Sequence, residues 1–155
     1  MELDNQKPLE VAKEEQEDFG IMAAPCEVEV AIDSIALVLG IVGVPGKFAE
    51  KVAKKLFNKL SSSKRRQVSA MLRKLGNDPK AAPGIIVDIF MLLVTTISFG
   101  VIKDSLNDLS WWDYFLVLAN FTAIFASGGA ALVVKVAFMT NDVVNLTRDS
   151  LKCFN

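Results

Sequence analysis

Histidine is absent from this chain of 155 residues. With it go the general base of Ser-His-Asp and Cys-His catalysis and the commonest metal ligand. Cysteine is nearly absent: Cys26 and Cys153 stand far apart without the spaced companions of a zinc or iron–sulfur site, so neither a metal centre nor a disulfide framework is expected. The first twenty residues lack both an apolar core and arginine, so neither a secretory signal peptide nor a transit peptide is expected there. Any membrane insertion would then use internal segments. Gly40, Gly43 and Gly46 follow a GxxGxxG spacing but lack the tight GxG turn and preceding strand of a dinucleotide site. Close helix packing is their expected use. The remaining Asp, Ser and Lys have no catalytic spacing, so the sequence predicts a non-enzymatic protein without cofactor or metal.

What the chain does have is apolar length. Hydrophobic residues make up 52% of it and mean hydropathy is +0.36, high for a soluble domain of this size. Two long runs, Gly84 to Ile102 and Tyr114 to Val134, flank one polar connector. The first, at a rise of ~1.5 Å per residue, reaches roughly 28 Å, close to the thickness of a bilayer's hydrocarbon. The fold class expected is an all-α membrane protein in which residues 83–139 form a transmembrane helical hairpin. Residues 31–46 are too short for a comfortable span and are read as a third span, an interfacial segment or a helix packed on the hairpin. Glu27 to Val30 alternates too briefly to define a strand.

Charge is segregated. Residues 1–30 hold nine acids against two bases and read as an acidic tail, whereas residues 47–80 hold eleven bases against two acids. Within 47–80, Phe48, Val52, Leu56 and Leu60 line one side of a helix opposite Lys47, Lys51, Lys54 and Lys55. After Ser61 to Ser63, Val68, Met71, Leu72 and Leu75 repeat the pattern beside Arg65 and Arg66. Such helices suit an anionic lipid surface, and the same six bases are the expected membrane contacts. They lack a nucleic-acid recognition fold and stacking aromatics, so no nucleic-acid partner is expected. Arg66 to Ser69 also matches a weak basophilic kinase pattern.

The positive-inside bias puts 47–80 on the inner side and the connector 103–113 outside, with Trp111, Trp112 and Tyr114 anchoring the outer interface. Asp88 and Lys135 are the charges inside the apolar runs. Ala119, Ala123, Ser127 and Ala131 recur every four residues beside Asn120, a small-residue face on which another helix could pack. Residues 140–155 read as a short C-terminal tail carrying the sequon Asn145-Leu146-Thr147. Three spans would put Cys26 and Cys153 on opposite faces.

The functional expectation is a non-catalytic, membrane-anchored accessory subunit or scaffold, with membrane-protein partners or a second copy of itself. The alternative is a membrane-permeabilising protein with the acidic tail as a mask. In outline alone, without a shared motif, an apolar hairpin with basic amphipathic helices resembles colicin-type toxins and holins.

Overall fold

The computed structural model describes residues 25–137 and 140–154, so the acidic tail lies outside the described residues as far as residue 24. Those residues form helices and connecting turns, with no strand among them. In chain order the helices are α1 (Pro25–Ile41), α2 (Gly46–Lys59), α3 (Ser62–Asn77), α4 (Ala82–Thr96), α5 (Phe99–Ser105), α6 (Trp111–Ala126), α7 (Ala130–Val136) and α8 (Thr140–Phe154), with a 3₁₀ turn, Pro79–Ala81, before α4.

Helix α1 is apolar on nearly every side and lies at the centre, in contact with α2, α3, α4, α7 and α8. Ala31, Ile35, Val38, Leu39 and Val42 are buried in the core. Of the readings open for residues 31–46, packing on the protein's own helices is the one observed, and the helix starts earlier, inside the expected tail. It stops where Gly43, at φ +109°, takes a left-handed conformation. Val44 N–H then reaches Leu39 O at 2.9 Å and Gly43 N–H reaches Gly40 O at 3.1 Å, a Schellman stop. The glycine spacing therefore terminates a helix. Close packing holds at Gly43, where a Cβ would lie 3.2 Å from Asn120 Nδ2 and 3.8 Å from Val117 Cγ2 of α6, but not at Gly40 or Gly46, where a Cβ would meet nothing within 4 Å.

The amphipathic pattern of 47–80 holds. Ala49, Val52, Ala53, Leu56 and Phe57 of α2 and Val68, Leu72 and Leu75 of α3 are buried, while Lys47, Lys51, Lys54 and Arg66 stay exposed. Ser61 caps α3 by accepting from Lys64 N–H at 3.2 Å. The Arg65 guanidinium sits 4.5 Å from the Phe57 ring centroid and joins the two helices. These apolar stripes, expected against lipid, face the protein's own core.

Neither long apolar run is one helix. The first breaks at Ile97, whose backbone is extended, and Ser98 caps the short α5 through Val101 N–H. Thr95, Thr96, Ile97 and Ser98 are four consecutive β-branched or hydroxyl residues, a poor helix interior. The second run breaks at Gly128 and Gly129, both with positive φ. Gly129 N–H bonds Ile124 O at 2.9 Å, and the chain turns by 116° between α6 and α7. Gly129 is also where α7 meets α4, since a Cβ there would lie 2.6 Å from Val87 Cγ1. Among the described residues one stretch, Pro79–Thr96, is long and apolar enough to cross a membrane, or two if the bent pair α6 and α7 counts as one.

The C-terminal residues are not a tail. α8 buries Leu146, Ser150 and Phe154 and packs on α1 and α3. A disulfide joins Cys153 to Cys26, with the Cα atoms 5.7 Å apart. This overturns the expectation that the cysteines stay apart, and with it the three-span arrangement, because the start of α1 and the end of α8 lie side by side.

Candidate membrane-contact surface

Helix α6 begins at Ser110, whose hydroxyl accepts from Asp113 N–H at 3.2 Å, while the Asp113 carboxylate favours the positive end of the helix. Val117, Phe121 and Ile124 are spaced for one helical face and turn into the core, where Phe121 stacks on Phe90 of α4 at 5.5 Å between centroids. A helix apolar all round is usually covered all round. This one is not.

Trp111 is 76% exposed, Trp112 59% and Phe115 52%, with Leu116 and Phe125 also exposed. On side chains of ~150–250 Å² each, the two tryptophans and Phe115 alone leave roughly 400 Å² of mostly apolar surface in solvent, as large as the biggest such patch on an ordinary monomer. The three rings form one cluster, with centroids 6.0 Å apart for Trp111–Phe115, 6.2 Å for Trp112–Phe115 and 6.4 Å for the tryptophan pair. Tyr114 is only half-exposed.

The small residues of α6 extend the same open surface: Ala119, Ala123 and Ser127 are exposed, and Ala131 is partly buried. Within the fold they receive no neighbouring helix across the whole face. Ser127 instead works at the turn, where its hydroxyl donates to Ile124 O at 3.0 Å and accepts from Ala131 N–H at 3.1 Å. Asn120 does make the kind of interhelical bond expected of it, donating from Nδ2 to Val42 O at 2.7 Å just past the end of α1. Asp88 is exposed and Lys135 half-buried, with no ion pair between them.

Lysines reach this surface through Asp108. Lys51 Nζ lies 2.9 Å from Asp108 Oδ2 and Lys55 Nζ lies 3.8 Å from it. The hydrogen bond from Lys51, with the charges of Lys51 and Lys55, holds the Asp108 carboxyl below its ordinary pKa. Asp108 precedes Trp111 by three residues, so the basic edge of α2 and the aromatic cluster lie within roughly 10 Å of chain. The charge rule had placed these two segments on opposite sides of a membrane, and in this fold no bilayer separates them.

Ser69 Oγ is buried without a hydrogen-bond partner, so the kinase pattern has no accessible acceptor in the folded chain. Among the described residues no group of three or more carboxylates and thiols is arranged to hold a metal. No protein-family model, curated protein or solved structure matches this chain.

Proposed function

We propose that this chain is a non-catalytic, membrane-anchored accessory protein that lies on the bilayer with the outer face of α6 in the interface and the lysines of α2 toward anionic headgroups. The observation carrying this reading is the exposed Trp111, Trp112 and Phe115 cluster beside Lys51 and Lys55. Tryptophan favours the interfacial layer, and apolar burial adds to headgroup attraction there. The bundle of α1, α2, α3 and α8 would then remain above the membrane as the part that docks a protein partner or a second copy.

The test is flotation of the full chain with vesicles of phosphatidylcholine and phosphatidylserine, compared with a Trp111→Ser, Trp112→Ser, Phe115→Ser variant. Immersing half of ~400 Å² at ~25 cal/mol per Å² is worth about 5 kcal/mol, so the variant should bind at least a hundredfold more weakly. Equal binding would reject this face as the contact.

A second reading, permeabilisation, draws on Pro79–Thr96, which is apolar enough to span while only 39% of it is buried. Hairpin insertion would require α4–α5 and α6–α7 to straighten and the contact between Lys51 and Asp108 to open. Dye release from the same vesicles separates the two readings, since interfacial anchoring leaves them sealed.

A further inference from the structure

Away from α6, a cleft of about 450 Å³ lies between α1, α2 and α8. Its floor is apolar or small, with Ala36, Leu37, Ala49 and Leu146. Among the described residues its charged groups are acidic: Asp33 from α1, Glu50 from α2, and Asp142 and Asp149 from α8. Among the described residues, neither α3 nor α4 contributes to the lining, and no lysine or arginine does. On α8, Arg148 donates to Asn145 Oδ1, itself in the lining, at 2.6 Å, so one cation reaches the rim of the cleft. Three helices that must pack together for the core to close therefore bring four carboxyls to their shared seam.

The seam has a local acceptor for one proton. Burial, then the hydrogen bond and charge of Glu50, then the charge of Asp149 push Asp33 from 3.8 up to about 7. Burial disfavours the charged form first, and the neighbouring Glu50 and Asp149 carboxyls add to that cost. The proton also lets Asp33 donate to Glu50, turning a repulsive contact between α1 and α2 into a hydrogen bond.

We propose that this acidic cleft is a proton-controlled latch on the C-terminal helix: with Asp33 protonated, α1, α2 and α8 close on one another, and with Asp33 ionised α8 loosens while the Cys26–Cys153 disulfide keeps its end tethered. Asp33 binds its proton more tightly in the folded chain than in the unfolded one, so the stabilisation is complete below the unfolded value near 3.8 and is lost as pH rises through about 7. The latch is thus shut in acid and slack above neutrality. It is independent of whether α6 meets lipid.

Amide hydrogen exchange on the full oxidised chain tests this, with intrinsic rates corrected for pH. Because Asp33 is partly solvated, a discounted linkage predicts that α8 amides around Leu146 to Ser150 are about tenfold better protected at pH 5.5 than at pH 8, with α3 amides changing far less. Asp33→Asn supplies a permanent donor to Glu50 and should hold the acid level of protection at both pH values. Glu50→Gln, which removes the repulsion from the other side, should also flatten the difference and serves if Asp33→Asn misfolds. Equal protection of the parent at the two pH values, an unchanged pH response in the variants, or a uniform change across every helix would overturn the latch.

Discussion

Breaking the disulfide between Cys26 and Cys153 should loosen the chain more than any other two-atom change. The bond closes a loop with a sequence separation of 127 residues, nearly the whole described fold. Chain-entropy reasoning gives roughly 5 kcal/mol for a loop of that length, and natural bridges commonly deliver about 2–4 kcal/mol once residual structure in the unfolded chain is allowed for. At about 3 °C per kcal/mol for a chain of this size, Cys153→Ser should lower the melting midpoint by about 10 °C. Because α8 packs Leu146, Ser150 and Phe154 against the bundle in its own right, the helix should remain folded at low temperature in the reduced chain. The assay is thermal unfolding followed by circular dichroism, for the oxidised chain, the reduced chain and Cys153→Ser. Reduced and mutant chains should coincide, both below the oxidised one. Coincidence of all three, or two free thiols titrating in the folded, air-oxidised chain, would refute the packing of α8 beside the start of α1.

Gly129→Ala should destabilise by about 2–4 kcal/mol, because φ is +96° and the new Cβ would lie 2.6 Å from Val87 Cγ1; adding Val87→Ala should recover only part, since the backbone strain persists. Asn120→Ala should lose about 1 kcal/mol in urea unfolding as the bond to Val42 O goes. A basophilic kinase should leave Ser69 unmodified in the folded chain and reach it only after denaturation, because Ser69 Oγ is enclosed. Rapid stoichiometric phosphorylation under native conditions would show that α3 is packed differently.

The parts legible in the sequence are those where one helix carries its own signal. The lysine-backed stripes of α2 and α3 and the start of α3 after Ser61 come from periodicity and capping residues, which are local. Apolar length is also local, but it does not say what covers a helix. The same hydropathy serves a core helix such as α1 and a span, and here the coverage came from elements far along the chain. The break after Thr96 is written in Thr95 to Ser98, and the bend at Gly128–Gly129 in two adjacent glycines, which tolerate positive φ. α8 had a readable pattern too, since Val143, Leu146, Ser150 and Phe154 recur at helical spacing. The disulfide and the meeting of Lys51 with Asp108 had no local signal. Both depend on how separate helices pack: the loop-charge rule separates Lys51 from Asp108, and a third span would separate the two cysteines.

Trp111 and Trp112 are the only tryptophans in the chain, so its intrinsic fluorescence reports directly on the surface at issue. With 76% and 59% of these side chains exposed, emission from the free protein should be that of solvated indole. Titration with anionic vesicles should shift it to the blue, and lipids brominated near the headgroup end of their chains should quench it more strongly than lipids brominated near the bilayer centre. Emission that stays unshifted and unquenched while the chain co-floats with the vesicles would contradict α6 as the contact, and emission that stays unshifted because no binding occurs at all would contradict membrane anchoring itself.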